Sequence, residues 1–185
     1  MAFQFKILLM TFDAPPVWRR LLVPEKFTFY RFHLVIQEAF GWENAHLFQF
    51  SPKGWGSLPM IGLKIEGEDE EMQDCKKIKL SQVFTKPKET FTYIYDFGDD
   101  WLHKIVLEKI TEDTLEKAEL LKGEGRCPPE DCGGFPGYEN LKEALADPAH
   151  PEHRELKDWL GLSPRQKWDP TEFNLQEVQA AVRRV

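Results

Sequence analysis

Cysteine is scarce in this chain: three residues, an odd number, in 185. A disulfide framework needs pairs and an oxidising compartment, so this count points to a reducing cytosol. Long apolar runs are missing as well. Nothing approaches the ~18 consecutive apolar residues of a membrane span. The opening stretch, Met1 to Pro16, lacks a basic leader and a small-residue cleavage site, and so does not read as a signal peptide. Basic charge is in deficit, with 24 Lys and Arg against 31 Asp and Glu and a net charge of −7. Wholesale binding along a nucleic-acid backbone needs a positive face that releases counterions, and this composition argues against one. Arg19-Arg20 and Arg183-Arg184 are the arginine pairs, and neither belongs to a longer basic run. No internal repeat is present.

What the chain has in quantity is aromatic bulk. Fourteen Phe and six Trp, within a 42% hydrophobic composition, imply a core built from large flat rings. A chain of this length buries roughly 70% of its unfolded surface and supports one self-sufficient domain, taken here as residues 1–185.

Phe3, Phe5, Ile7 and Leu9 alternate as a strand does, Pro15-Pro16 breaks the chain, and 17–23 resumes as a second strand. From Thr28, a candidate N-cap, Phe29, Phe32, Val35, Ile36, Ala39 and Phe40 recur at helical spacing until Gly41. His46 to Phe50 alternates again, and 58–65 is a weaker strand whose Pro59 and Gly62 suggest an edge or a bulge. Residues 66–74 hold six acids and no base and read as a solvated loop. Residues 78–84 suit a short helix. Phe91 to Phe97 and Trp101 to Ile110 form two alternating runs around Gly98-Asp99-Asp100, a hairpin. Residues 112–122 read as a polar helix or irregular excursion, 123–137 as a Gly/Pro loop, and 139–146, 151–160 and 174–182 as helices. The expected class is α+β: a sheet-rich part over 1–111, antiparallel or mixed and packed by the early helix, then a helical C-terminal third over 112–185.

The segments YDFGDDWLHKIVLEKI at 95–110 and RCPPEDCGGFPGYENL at 126–141 carry a resemblance. Together with Gly41-Trp42, His46-Leu47, the WLG at 159–161 and the WDPTEFNLQEV at 168–178, the chain resembles the plasmid pRiA4b ORF-3-like family over nearly its whole length. Trp168 stands where that family more often has Phe, a conservative aromatic exchange. The resemblance implies a single α+β domain and brings no characterised activity. Relatives occur on plasmids and near mobile elements, and some carry the label of resolvase. The residues give that label no support. A serine recombinase needs an early nucleophilic serine among arginines, whereas the first serine here is Ser51, in a Pro/Gly loop. Tyr30, Tyr93, Tyr95 and Tyr138 lack the Arg/His/Arg setting of a tyrosine recombinase.

Three constellations can carry chemistry. Cys127 and Cys132 lie near zinc-ligand spacing, and His103 and His46 would complete a tetrahedral set if folding brought them close. Against zinc, a second cysteine pair is missing and Pro128-Pro129 stiffens the loop. The plain alternatives are two small buried thiols or a regulated disulfide. Asp96, Asp99 and Asp100 surround a glycine, where aspartates ordinarily serve the turn itself. With Glu130 or Asp131 they would also supply oxygen ligands for Mg²⁺ or Mn²⁺, and hence a metal-dependent hydrolase or nuclease. His103 shares a face with Trp101, Ile105 and Leu107; its expected partner is Asp99 or Asp100, which would raise its pKa. Trp18-Arg19-Arg20 is thinly interleaved for a nucleic-acid reader and suits a solvated edge strand better, with an accessory role on nucleic acid kept as an alternative.

The leading expectation is therefore a cytoplasmic binding or interaction domain for a protein or small molecule, rather than an enzyme. Its cleft would lie between the 96–103 hairpin tip and the 127–138 loop. Asp96, Asp99, Asp100, His103, Glu130 and Asp131 would supply polar contacts, and Gly133 and Gly134 close backbone approach. No cofactor is required, although zinc at Cys127, Cys132 and His103 is admitted.

Overall fold

A computed structural model describes residues 1–10, 15–65, 67 and 71–185. It opens with the strand β1, Ala2–Leu9, in which Phe3, Phe5, Ile7 and Leu9 are buried on one face. Period-two hydrophobicity puts all four on the same side of the pleat, where they meet the helix. The second strand, β2 (Trp18–Pro24), pairs antiparallel with β1 from Ala2↔Pro24 to Leu8↔Trp18. The helix α1, Phe29–Phe40, follows after Thr28, whose hydroxyl accepts from the Arg31 N–H at 3.2 Å. Gly41 ends it at φ 85°, a left-handed position that costs glycine nothing.

The next strands are β3 (Phe48–Ser51), β4 (Met60–Gly62) and β5 (Met72–Asp74), then a 3₁₀ turn at Leu80–Gln82. The hairpin forms as expected from β6 (Thr90–Tyr95) and β7 (Trp101–Thr111), with Tyr93 opposite His103. Beyond it come β8 (Glu119–Glu124), α2 (Gly134–Ala146), α3 (His153–Trp159) and α4 (Leu175–Val182). The strands make one mixed sheet ordered β5-β4-β3-β6-β7-β1-β2-β8, antiparallel except for the β4–β5 pair.

The α1 face of this sheet is the aromatic core. Phe5 packs on Phe32 and Phe84, each with ring centroids 4.9 Å apart, and Phe29 meets Phe50 edge-on at 5.0 Å. Contacts of this geometry add to simple burial, which makes the face the main source of stability. Among the described residues, no helix is long and apolar enough to cross a membrane.

Several expectations need correction. The sheet does not stop at 111: residues 119–124 form β8, an edge strand on β2, rather than part of a polar helix or irregular excursion. Leu120 is buried while the neighbouring Leu121 is exposed, and flanking charges blur so short an alternation. The C-terminal third is helical only in part, since residues 160–174 lie between α3 and α4 without regular structure. Within the acidic run, Met72–Asp74 is a strand that covers β4, so Pro59 and Gly62 do not mark the edge of the sheet. Glu66 and residues 68–70 of that run lie outside the described residues.

Arg19 ties the far side together. It lies on the core face of β2, only 2% exposed, and among the described residues no carboxylate answers it. Instead its guanidinium donates to the carbonyls of Ala39, Trp18, Glu124 and Gly125 at 2.7 to 3.0 Å. Burial lowers its pKa to about 10, and the Phe173 ring lies 4.3 Å beneath it. Ala39 belongs to the last turn of α1, so the arginine supplies the positive charge that the helix C-terminus lacks. Arg20, on the opposite face, forms a bidentate pair with Glu108 at 2.7 and 2.9 Å.

Candidate functional site

The end of the sheet where β3, β6 and β7 meet the 127–134 loop collects most of the expected polar residues. Asp96 leaves β6 with φ 54°, and its Oδ1 accepts the Gly98 N–H at 2.9 Å. Asp100 and Asp131 also take positive φ, 57° and 55°, and Asn44 beside His46 takes 55°. Side-chain hydrogen bonding lets Asp and Asn tolerate such backbone, which the tight turns of these loops require.

His46 is the focus. Its Nε2 faces Asp131 Oδ1 at 3.0 Å, Glu130 Oε1 at 3.6 Å and Asp96 Oδ2 at 3.7 Å. The nitrogen is buried and none of these contacts is aligned as a hydrogen bond. Among the described residues, none of the three carboxylates pairs with a lysine or arginine. Glu130 is held from behind: the Tyr95 hydroxyl donates to Oε1 at 2.5 Å and the Glu43 N–H to Oε2 at 3.3 Å. Burial, then the bond to Glu130, raises the Tyr95 pKa, so the phenol remains a donor. The Glu130 and Asp96 side chains are 10% and 11% exposed and Asp131 is 71% exposed, which leaves Asp131 as the open side of the cluster.

Such an arrangement suits a divalent cation. Donors that share a cation at about 2.1 Å lie about 3.0 Å apart in an octahedron and about 3.4 Å in a tetrahedron. The ligand atoms of His46, Asp96 and Asp131 lie within 4.8 Å of one another, the convergent group of metal-binding type among the described residues. One imidazole with carboxylates favours zinc, manganese or iron(II) over calcium, which prefers oxygen alone.

The hairpin tip and the loop do approach each other, and Asp99, Gly133 and Gly134 make that contact with one another. Asp99 turns toward the loop, where its Oδ2 accepts the Gly133 N–H at 3.2 Å. A Cβ on Gly134, at φ 65°, would meet the Asp99 carbonyl at 2.7 Å, so these glycines admit the chain's own backbone rather than a ligand. Asp100 Oδ1 accepts from the Trp55 indole at 2.8 Å. Asp99 and Asp100 thus brace the tip, while Asp96, Glu130 and Asp131 converge.

His103 is placed in the core, not in the cleft. It is fully buried; its Nδ1–H donates to the Trp101 carbonyl at 3.0 Å, and Nε2 accepts from the Trp42 indole at 3.4 Å. Neither nitrogen is left for a metal. Instead of a carboxylate that raises its pKa, it has a dry pocket that lowers it to about 3. Cys127, Cys132 and His103 are not brought together as a ligand set. Burial holds both cysteines as neutral thiols, Cys127 far above its ordinary value and Cys132 at about 12. His46, first considered as a companion of the cysteines, belongs with the acids. The sequence signal for this was only its place in the early motif after Gly41-Trp42.

A solved structure, the protein of unknown function MM3350 from Methanosarcina mazei Go1, has the same architecture. It superposes with a TM-score of 0.79 at 34% identity, covering 95% of this chain and 96% of that one. The uncharacterised protein y4hQ of Sinorhizobium fredii is 39% identical over 170 residues, 91% of this chain and 84% of the relative. The family description that matches residues 1–177 is that of the plasmid pRiA4b ORF-3-like proteins, and the chain belongs to that family.

Proposed function

We propose that this protein is a binding domain whose working surface is a divalent-cation site formed by His46, Asp96, Glu130 and Asp131. One observation carries the reading: a buried imidazole nitrogen without a hydrogen-bond partner faces three carboxylate oxygens at 3.0 to 3.7 Å. An arrangement of like charges around an unpaired nitrogen is costly unless a cation or a proton completes it. Asp131 would admit the cation from solvent, and Tyr95 and the Glu43 N–H would hold Glu130 in place as outer partners. All three cysteines are free thiols, and on that ground we assign the domain to the reducing cytoplasm.

A metal-dependent hydrolase would use the same surface, but it needs a base aimed at the cation. The Tyr95 hydroxyl is already committed to Glu130, so catalysis is not part of the proposal. Nucleic-acid binding finds less support still, because Arg19 is buried and Arg20 is paired with Glu108.

The test is elemental analysis and calorimetric titration of the purified protein with Zn²⁺ and Mn²⁺. Near-stoichiometric binding is expected, lost in His46→Ala and retained in Cys127→Ser/Cys132→Ser. Metal that follows the cysteines instead, or no binding at millimolar metal, would refute the assignment.

A further inference from the structure

The face of the sheet turned away from α1 holds a feature that the cation site does not use. Along β3, Phe48 and Phe50 point at α1, with Phe48 stacked on His33 at 3.6 Å. Alternation sends Gln49 and Ser51 to the other side, which in an antiparallel sheet is commonly wet. Here both are buried, Gln49 to 3% and Ser51 completely. Ser51 is satisfied, since its hydroxyl donates to the Gly54 carbonyl at 2.7 Å. Gln49 is not: its Nε2 is buried with no hydrogen-bond partner.

Gln49 lines a pocket of about 340 Å³ whose walls include Leu47, Trp55, Met60, Leu63, Met72 and Phe97. A volume of this order is that of a small-molecule site. Trp55 and Phe97 flank the mouth, packed edge-to-face at 4.8 Å and exposed by 49% and 39%. The indole of Trp55 is anchored on Asp100 at 2.8 Å, which fixes one jamb of the opening. Gly62 leaves room for Met72 to lean in: a Cβ there would meet the methionine sulfur at 2.9 Å. Two methionines give the walls a shape that adapts to what enters. Among the described residues, the lining contains no lysine, arginine or acid.

A buried N–H with no acceptor is rare in native structures. The described walls are apolar side chains that offer this nitrogen no acceptor, and a ligand oxygen would supply one. We infer that this pocket binds a small, uncharged, mainly apolar molecule that carries one carbonyl-type oxygen, received by Gln49 Nε2. Among the described residues the lining has no cationic side chain, which disfavours a carboxylate, and the buried amide nitrogen calls for an uncharged acceptor oxygen. The proposal is independent of the cation site and shares no residue with it.

Two matched probes test it: methyl naphthyl ketone and isopropylnaphthalene, which differ in the acceptor but little in shape. Each is titrated into isotope-labelled protein and followed by NMR. The ketone should bind about fivefold more tightly, the ratio expected of one neutral hydrogen bond, and should shift the side-chain amide protons of Gln49. Gln49→Met, close in volume, should erase the preference without lowering the thermal midpoint. Met60→Trp, which fills the pocket from its wall, should abolish binding of both probes. Three results would each overturn the inference: neither probe binding wild type, a ketone preference surviving in Gln49→Met, or a dimer on sedimentation that buries Trp55.

Discussion

His33, on the buried face of α1, and His103, on β7 beneath that helix, contrast with His46 at the end of the sheet. The first two are closed networks. His33 Nε2–H donates to Asn44 Oδ1 at 2.7 Å, its Nδ1 accepts from the Tyr93 hydroxyl at 2.8 Å, and Tyr93 in turn accepts from Gln37 at 2.8 Å. His103 is closed by Trp101 and Trp42. Every polar atom there finds a partner from the chain itself, so both imidazoles are fixed as neutral rings. His46 ends on carboxylates with no aligned partner and one side open to solvent. The first arrangement specifies a fold, whereas the second leaves a valence that the fold does not use.

Acid should expose this contrast most strongly. An imidazole titrates near 6.5 in the unfolded chain, while burial lowers His33 to about 4 and His103 to about 3 in the folded one. Between pH 6.5 and 4 the unfolded state binds protons that the folded state refuses. Stability therefore falls as pH falls through that window, by up to about 1.4 kcal/mol per pH unit for each group, and is fully present above it. From pH 6.5 to 4.5 the two together should remove about 4 kcal/mol, read by urea unfolding at several pH values. Imidazole NMR at pH 5 should find both rings neutral. A flat stability profile over this range would mean that the two rings are more open than the structure shows.

Tyr93→Phe breaks the closed network at its hub. It strands the Gln37 donor and the His33 acceptor in a dry site, so a loss of about 3 kcal/mol in chemical denaturation is expected. Gly134→Ala strikes the contact that brings tip and loop together. A left-handed backbone and a close carbonyl both oppose the new methyl, for a cost of about 2 kcal/mol. Because Gly134 follows the loop that carries Glu130 and Asp131, this variant should also weaken cation binding, which Tyr93→Phe should leave nearly intact.

How much of this was legible in the sequence depended on whether a signal was local. β1, α1 and the 90–111 hairpin announced themselves through alternation, helical spacing, a Thr28 cap and a Gly41 stop. β5 has three residues inside an acidic run and gains its identity only from pairing with β4. β8 is likewise defined by β2 across about a hundred residues. At the site, Asp96, Glu130 and Asp131 stood out as acids in loop sequence. His46 did not join them, because nothing local links it to residues fifty to eighty-five positions away. The burial of His103 could be read from its shared face with Ile105 and Leu107. Its partner could not, since Trp42 arrives from another element.

Asp131→Asn probes the open side of the comparison with the least disturbance to the fold. Its side chain is 71% exposed and holds no aligned hydrogen bond from His46, so little of the native packing depends on it. Without metal, the change removes one of three negative charges crowded around an imidazole, and stability should move by no more than about 0.5 kcal/mol in either direction. Cation affinity should nevertheless fall at least about tenfold, because a carboxylate oxygen close to the metal has become an amide. Calorimetry and thermal denaturation on the same preparation separate the two effects. If Asp131→Asn lost as much stability as Tyr93→Phe and kept its cation affinity, His46 and its carboxylates would be one more closed network, and the distinction between the two regions would disappear.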